Sequence, residues 1–464
     1  MKQNFILILL FFISSILLKV NGQTKPQRSL AELQQTFVDM RFGMFIHFGM
    51  PTYYNQDWPD PEASASLFNP TKLDANQWAK AAKDAHMSYG CLTTKHHSGF
   101  CIWDTKTTDY SVMKSPYKKD VVKEYVDAFR KNGIKVMLYY SILDTHHKIR
   151  PNEIEPKHTD FIKAQLTELL TKYGDIEALI IDGWDAPWSR ISYDEISFEQ
   201  IYKLVKKLQP NCILMDLNGA KYPADGLYYT DIKTYEMGAG QHLSGDKNEM
   251  PALACLPLQS SWFWKTNFPT TAVKDPAKLI SETLEPLNKA NCNFILNVAP
   301  NREGLFDENA LTALKEIGKI WTNQGSVGKI KATGAPIISS NLAKNKPSNS
   351  SWSYDMDIMD FANDDDFQSS WQSNPEIKEP WYEVDLKTSQ AFTTITVFER
   401  KPNIKKYKLE YWANGTWKPL FEGETQGRVK LHRFTKVQGS KVRIIIQSYE
   451  SAPSIAEFGV YNES

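Results

Sequence analysis

The residues best suited to chemistry stand where short apolar stretches of the chain end. Asp182 ends the stretch ALIID and is followed by Gly183, which lets a ligand approach the backbone closely. Hydrolysis of a glycosidic bond commonly uses two carboxyl groups, one ionised and one kept protonated by its surroundings. Asp182 is therefore a candidate for the ionised carboxylate. The alternative role is an aspartate that only caps the turn after its strand.

Histidines follow two other apolar stretches. His47 comes after FGMFI, and the pair His96 and His97 comes after GCLTTK. Neighbouring residues of a strand face opposite ways, so one metal ion would rarely bind both members of the pair. We expect His47 and one or both of the pair to hydrogen-bond sugar hydroxyls. The alternative is a structural histidine whose partners lie inside the fold.

These residues need a scaffold that brings strand ends together. Between Arg41 and about Ile320, short apolar strands alternate with amphipathic helical stretches, which is the pattern of βα units around a parallel sheet. The predicted strands are 42–48, 88–94, 134–141, 178–182, 212–216, 232–236 and 293–298, with 260–264 as the candidate for one more. Eight strands over about 250 residues predict an α/β fold of the (β/α)8 or TIM-barrel type.

The candidate residues share one position in this scaffold, which favours an enzyme. The C-terminal ends of predicted strands carry His47, His96, His97, Tyr140, Asp182 and Glu236. Active sites of (β/α) barrels lie at this face.

The amino-acid composition changes after Thr333, where the stretch TGAPIISSNLAKNKPSNSS is rich in Gly, Pro, Ser and Asn. Short alternating strands such as YEVDL, KYKLEYW and KVRIIIQ follow and predict an all-β sandwich of the jelly-roll type. We therefore predict a catalytic barrel over residues 23–333 and a C-terminal β-sandwich over residues 334–464.

The N-terminus and the charge balance restrict location and partners. Residues 1–22 combine Lys2, a long apolar run and small residues, which predicts a secretory signal peptide and an exported protein, periplasmic or extracellular, without stable membrane insertion after its removal. Lys+Arg and Asp+Glu both total 54, so the chain lacks the basic excess that nucleic-acid partners require. The five cysteines are interpreted as mostly buried thiols.

Several motifs in one register resemble the α-L-fucosidases of glycoside hydrolase family 29. They are RFGMFIHFG, FNPTKLDANQW, LTTKHHSGFCIW, YGDIEALIIDG and NFILNVAPNREG. The resemblance covers roughly residues 30–323 and implies a barrel enzyme that needs no cofactor and removes fucose from fucosylated oligosaccharides or glycoconjugates with retention. It implies Asp182 as the nucleophile. The implied fucose-binding residues are His47, Asp57, Trp58, His96, His97 and Tyr140, and Trp184 and Trp262 are candidate pocket walls or core residues.

Two departures from the family pattern concern the general acid and the pocket charge. Ser98 stands in HHSGF where the family has an Asp. Counting residues back from Trp262 places Leu253 where the family has its general acid. Leucine cannot give a proton, so three readings stay open. Glu236 could serve as the acid, Glu249 could reach in from its loop, or no acid exists. In the last case the chain would be a fucose-binding protein without turnover on natural glycans.

The C-terminal region resembles a discoidin-like or factor 5/8 type C domain, the fold shared with family 32 carbohydrate-binding modules. The resemblance implies a structural calcium in the loop FANDDDF, with Asp364, Asp365 and Asp366 as hard oxygen ligands. A solvated acidic loop is the alternative. The sugar also has an alternative, because L-galactose differs from L-fucose only by a hydroxyl and an apolar pocket rejects an added hydroxyl weakly.

Overall fold

The computed structural model describes residues 26–243, 248–354 and 356–463, without the side chains of residues 356–358. The predicted signal peptide, residues 1–22, lies outside the described residues. Within the described part of the chain, no helix is long and apolar enough to cross a membrane.

The first domain is built on eight parallel strands in the spatial order β5-β4-β3-β2-β1-β8-β7-β6. The strands are β1 Phe42–Ile46, β2 Tyr89–Lys95, β3 Lys135–Ser141, β4 Ala178–Asp182, β5 Ile213–Asp216, β6 Lys233–Glu236, β7 Ala252–Pro257 and β8 Cys292–Asn297. Strand β1 pairs with both β2 and β8, so the sheet curves into a nearly closed barrel. The predicted barrel fold is confirmed.

Helices pack around the strands, and several of them begin at side-chain caps. They are α1 Leu30–Asp39, α2 Met50–Tyr54, α3 Ala75–Asp84, α4 Val121–Lys131, α5 Pro156–Lys172, α6 Phe198–Leu208, α7 Pro276–Lys278, α8 Glu285–Lys289 and α9 Glu308–Ile320, with a π-helical stretch Leu279–Leu284 joining α7 to α8. The Asp120 side chain accepts from the Lys123 N–H before α4, and Ser197 caps α6 in the same way. Polar caps therefore fix where the helices leave the strand ends.

The seventh strand differs from the prediction. It runs over Ala252–Pro257, whereas residues 260–264 lie in the loop that follows it. The stretch ALACLP is buried along almost its whole length, so it lacks the polar and apolar alternation that marks a half-exposed strand. The tryptophan-rich stretch 260–264 looked like a strand because its large apolar side chains are needed above the barrel.

The seam between β5 and β6 is closed by one aspartate. Asp231 donates its N–H to the Leu214 carbonyl at 2.8 Å, and its carboxylate accepts from the Leu214 N–H at 2.8 Å. The Lys206 ammonium lies 2.6 Å from the same carboxylate and balances its charge. The Asp231 carboxylate thus takes the place of a backbone carbonyl as the acceptor for the Leu214 N–H.

Alternation along the strands divides the barrel into an interior and an outer layer. Inside lie large side chains such as Phe45, Tyr89, Tyr139 and Ile180, whereas Tyr140 belongs to the layer between strands and helices. Successive strand residues point to opposite faces, so this parity decides which side chains reach the cavity above the barrel.

The C-terminal domain is all-β, as predicted, and antiparallel. Its strands are β9 Ser348–Ser350, β10 Trp371–Gln372, β11 Trp381–Glu399, β12 Ile404–Ala413, β13 Thr416–Glu424, β14 Val429–Tyr449 and β15 Ser454–Tyr461. The order is β10-β15-β11-β14-β12-β13, with β9 also paired to β11. The long strands β11 and β14 carry register shifts and enclose a second apolar core.

An aromatic contact joins the two domains. Phe367 of the C-terminal domain is 7% exposed, and its ring centroid lies 5.3 Å from Tyr222 and 5.8 Å from Tyr228 of the barrel. Tyr229 N–H reaches the Ile337 carbonyl at 2.8 Å in the connection between the domains. The predicted boundary at residue 333 lies in this connection, between α9 and β9.

We expect Phe367→Ala to lower the free energy of unfolding by about 3–5 kcal/mol, because it removes a buried ring and leaves a cavity between the domains. Phe361→Ala is the matched control, since Phe361 is 41% exposed in the same loop region. Urea denaturation followed by tryptophan fluorescence measures both variants. Equal effects of the two substitutions would contradict this account of the domain contact.

Candidate active site

A cavity of about 260 Å³ opens at the C-terminal ends of the barrel strands. Its lining residues are Phe45, His47, Asp57, Trp58, His96, His97, Asp182, Trp188, Leu217, Glu236, Trp262 and Phe263. A larger cavity of about 450 Å³ lies between the two domains, beside Tyr228 and Arg428. Of these two cavities, only the smaller brings carboxyl groups together with histidines, so the chemistry belongs there.

Asp182 is held by neutral donors. The Tyr139 hydroxyl donates to Oδ2 at 2.6 Å and the Asn218 amide donates to Oδ1 at 2.9 Å. The pKa of Asp182 lies above its usual value because burial outweighs the hydrogen bonds from Tyr139, Asn218 and the Gly183 backbone, which favour the anion. Among the described residues no lysine or arginine forms an ion pair with Asp182. Neutral donors therefore offset part of the cost of burying this charge, and no cation neutralises it.

Glu236 stands across the cavity at the end of β6. Burial and the nearby charge of Asp182 raise the pKa of Glu236 to about 7, against a hydrogen bond from Trp262 that lowers it. A carboxyl with this pKa is protonated in a large fraction of molecules at neutral pH. Asp182 thus accepts hydrogen bonds that favour its anion, whereas Glu236 is a carboxyl group able to give a proton.

Hydrogen bonding assigns the tautomer of His47. The Asn297 amide donates to the Trp262 carbonyl at 2.7 Å, so its Oδ1 must act as the acceptor toward His47 Nδ1, 2.7 Å away. Nδ1 therefore carries the proton and Nε2 is a free acceptor. Burial lowers the pKa of His47 to about 4, so the ring is neutral at pH 7.

The same reasoning applies to His97. The Ser141 hydroxyl donates to the Leu143 carbonyl at 2.8 Å, and it must therefore accept from His97 Nδ1 at 2.7 Å. Nε2 of His97 is left as an acceptor 3.6 Å from Asp182 Oδ2. Burial lowers the pKa of His97 to about 3. Two acceptor nitrogens thus face the cavity and suit the hydroxyl donors of a sugar.

His96 completes the polar lining. Burial lowers its pKa well below the usual range, and its buried Nδ1 has no hydrogen-bond partner among the described residues. Ligand atoms of His96, His97 and Asp182 lie within 4.8 Å of one another. These atoms are able to meet the hydroxyls of one bound ring, and they are also of the types that metal ions accept.

Comparison with known families agrees with this chemistry. A model described as Alpha-L-fucosidase matches residues 18–326, and a model described as F5/8 type C domain matches residues 343–458. The chain belongs to the α-L-fucosidase family. This fucosidase is therefore a glycoside hydrolase, and the resemblance recognised in its sequence is confirmed for both domains.

Individual relatives extend the similarity over nearly the whole chain. Alpha-L-fucosidase 1 of Arabidopsis thaliana is 28% identical, covering 94% of this chain and 87% of its own. Human tissue alpha-L-fucosidase is 23% identical over 63% of this chain and 68% of its own. The fold is shared with a Ruminococcus gnavus family 29 fucosidase solved with fucose, at a TM-score of 0.52, 23% identity and coverages of 95% and 96%.

The fucosidase brings together most of the predicted site residues. His47, His96, His97, Asp182, Glu236 and Trp262 line the cavity, as do Asp57 and Trp58 from the loop after β1. The Asp57 carboxylate is fixed by the Lys265 ammonium at 2.6 Å and by the Ser261 hydroxyl at 3.0 Å. Asp57 therefore joins the loops after β1 and β7 above the barrel.

One aromatic prediction was wrong by one position, and a second aromatic candidate has its alternative role in the core. Tyr140 points outward and donates to Gln165 Oε1 at 2.7 Å, whereas its neighbour Tyr139 reaches Asp182. Trp184 is fully buried and donates its indole N–H to the Ile196 carbonyl, so the cavity wall is made by Trp188 instead. Strand parity could have identified Tyr139, but Trp188 lies in an irregular loop that carries no periodic signal.

The alternative acid and the counted acid position were also wrong. Glu249 is exposed, pairs with Lys331 at 2.6 Å and lines the cavity between the domains. Leu253 is buried inside the barrel early in β7, beside Thr234 and Asn293, and does not line the site cavity. The absence of a carboxyl at Leu253 therefore says nothing about the acid.

Ser98 is buried in the turn after the histidine pair, next to a carboxylate from another loop. Gly99 has a positive φ of +84°, and a side chain there would collide with Asp144. Asp144 forms a fully buried ion pair with Lys95 at 3.0 Å. This ion pair anchors the turn that carries His96 and His97.

The side chains of the three aspartates in the acidic loop each contact a different partner. Asp365 pairs with Lys344 at 2.9 Å, Asp364 accepts from the Ser369 hydroxyl at 2.8 Å and Asp366 accepts from the Gln368 N–H at 2.9 Å. Calcium binding by this loop stays a prediction.

We expect Tyr139→Phe to lower kcat/KM roughly 10–100-fold, because a hydrogen bond to a charged group contributes about 1.5–3 kcal/mol. The Tyr139 hydroxyl lowers the pKa of Asp182, so its loss raises that pKa and moves the acidic limb of the pH profile to higher pH. Tyr140→Phe is the matched control and should keep both the rate and the limb. A limb that does not move in Tyr139→Phe would contradict the assignment.

The tautomers are open to a direct spectroscopic test. Two-dimensional ¹⁵N NMR of histidine-labelled protein at pH 7 should show His47 and His97 protonated at Nδ1 and unprotonated at Nε2. Signals are assigned by comparison with His47→Gln and His97→Gln. An Nε2–H form of either ring would be inconsistent with the hydrogen bonds of Asn297 and Ser141.

Proposed function

We propose that this fucosidase is a retaining exo-glycosidase that removes terminal α-L-fucosyl residues, with Asp182 as nucleophile and Glu236 as acid and base. The observation that carries the proposal is the pair of contrasting carboxyl environments in one cavity. Tyr139 and Asn218 favour the anion of Asp182, and burial beside Asp182 raises the pKa of Glu236 to about 7.

The reaction follows from these two environments. Asp182 attacks the anomeric carbon while Glu236 gives its proton to the leaving glycosidic oxygen, so one C–O bond forms as another breaks. Glu236, now ionised, takes a proton from water, and the water oxygen displaces Asp182 from the anomeric carbon. Two displacements restore the original configuration.

The acceptor nitrogens supply recognition. Nε2 of His47 and of His97 accept from sugar hydroxyls, and the hydroxyl beside His97 lies close to Asp182 as well. The apolar side chains Phe45, Leu217 and Phe263 supply a surface for the methyl side of the sugar. L-Galactose adds one hydroxyl on that side, so rates on the two aryl glycosides compare the alternatives.

The alternative of a fucose-binding protein without turnover rested on Leu253 and Ser98. Leu253 lies below the cavity, and Glu236 offers a protonated carboxyl inside it. We also propose that catalysis needs no cofactor and that the chain is exported. Dialysis against a chelator should leave the rate unchanged, and a loss restored by one metal ion would assign the cluster of His96, His97 and Asp182 to that ion.

We expect Asp182→Ala to abolish hydrolysis of 4-nitrophenyl α-L-fucoside. Glu236→Ala should cost roughly 10²–10⁴-fold on fucosides with poor leaving groups and much less on fucosyl fluoride, which needs no proton. The basic limb of the wild-type pH profile should have an apparent pKa of about 7 and vanish in Glu236→Ala. Glu249→Ala is the control with a surface carboxyl.

Added azide separates the two roles. Glu236→Ala should give the fucosyl azide of retained configuration and Asp182→Ala that of inverted configuration, because azide replaces water in the first variant and the nucleophile in the second. Retained product from Asp182→Ala, or equal losses of Glu236→Ala on all leaving groups, would overturn the assignment.

A further inference from the structure

The mouth of the cavity is framed by two tryptophans. Among the described residues that line the cavity, Trp58 and Trp188 are the most exposed, at 47% and 42%. The carboxyl groups proposed to act on the glycosidic bond, those of Asp182 and Glu236, lie deeper in the same cavity. A group that leaves the cavity toward solvent therefore passes these two rings.

The two rings form a continuous wall with the histidine beside the nucleophile. The Trp58 ring stacks on His97 at 4.8 Å with an interplanar angle of 23°, and the Trp188 ring lies 4.4 Å from the same imidazole. The tryptophans meet each other edge to face at 5.4 Å. The aromatic surface thus runs from His97 outward into solvent.

Both tryptophans are carried by fixed loops. Trp58 follows Asp57, which Lys265 and Ser261 anchor to the loop after β7. The loop of Trp188 is closed by the Ser189 hydroxyl on the Gly183 carbonyl, by the Asp185 N–H on the Ile191 carbonyl and by the ion pair of Asp185 with Lys221. A platform already held in place loses little entropy on binding.

The size of the cavity separates what lies inside from what lies at the mouth. Pockets for drug-sized ligands measure about 300–1,000 Å³, and this cavity measures about 260 Å³, which suits one monosaccharide. The remainder of an oligosaccharide must then lie on the tryptophans. Asp57 precedes Trp58 in the chain and lines the cavity, and its charge is paired with the Lys265 ammonium at 2.6 Å, so this part of the surface favours a neutral ligand.

We propose that Trp58 and Trp188 form a binding site for the pyranose ring of the leaving group. The electron-rich faces of the indoles would contact the C–H face of that neutral sugar. This inference rests on the proposed function, because it takes the sugar inside the cavity to be the one released. It makes Trp188 a determinant of specificity for the part of the glycan that remains after cleavage.

The test compares leaving groups with and without a ring. We measure kcat/KM of wild type, Trp188→Ala and Trp188→Phe on α-L-fucosyl fluoride and on the best substrate among α-L-fucosyl disaccharides of the 1→2, 1→3, 1→4 and 1→6 linkages. Trp188→Ala should lower the ratio of disaccharide to fluoride kcat/KM about tenfold, and Trp188→Phe should lower it less, because an aromatic face remains. Trp352→Ala is the control, since Trp352 is 56% exposed in the C-terminal domain and away from the cavity lining.

Each outcome has a separate meaning. A wild type inactive on fucosyl fluoride would refute the proposed function itself. A wild type active on the fluoride but on no disaccharide, or an unchanged substrate ratio in Trp188→Ala, would refute the leaving-group site alone. Unchanged thermal unfolding of Trp188→Ala is the check that a lower ratio comes from binding.

Discussion

The structure of this fucosidase depends on a buried carboxylate that is stabilised without a cation. Asp182 lies at the end of β4, where a neighbouring lysine or arginine would neutralise the charge that the proposed mechanism uses to attack carbon. Tyr139 and Asn218 instead donate hydrogen bonds from the two flanking strand ends. The rest of the site follows from this choice. Because no lysine or arginine among the described residues pairs with Asp182, its charge acts on Glu236 and helps to keep that group protonated. Burial keeps His47 and His97 neutral, and Asn297 and Ser141 accept the Nδ1 protons of these two rings.

Much of the fold could be read from the sequence because the strands are short, apolar and followed by polar residues. The barrel, the all-β domain and the nucleophile's strand were recognised in this way, and the cavity contains six of the strand-end and loop residues that the motifs implied. The seventh strand was missed because ALACLP is buried on both faces and has no alternation, whereas the aromatic stretch after it mimics a strand. The resemblance implied Tyr140, whereas strand parity selects its neighbour Tyr139. The register agrees, because Tyr139 pairs with Ile180, two residues from Asp182 and on the same face.

The residues that sequence could not supply lie in irregular loops or act through their surroundings. Asn218 and Trp188 follow β5 and β4 in segments without periodicity, so their approach to the cavity depends on tertiary structure. Glu236 and Glu249 are the same residue type at a similar distance along the chain from Asp182. They differ only in that one is enclosed near a second carboxylate and the other is paired with a lysine in solvent. Counting residues led to Leu253, which lies in β7 inside the barrel and not in the cavity lining.

The contact of Phe367 with Tyr222 has a consequence for how the chain can be shortened. Tyr222 ends the short turn Gly219–Lys221, and Lys221 is the residue whose ammonium holds Asp185 in the Trp188 loop. The C-terminal domain therefore supports one wall of the cavity entrance, because Phe367 packs on Tyr222, Tyr222 follows Lys221, and Lys221 holds Asp185. None of its described residues lines the cavity itself. A catalytic domain cut at the connection would expose the rings of Tyr222 and Tyr228 to water and lose this support. For protein engineering, the barrel and the C-terminal domain are therefore a single unit. A fusion that keeps only the barrel needs another contact in place of that between Phe367 and Tyr222.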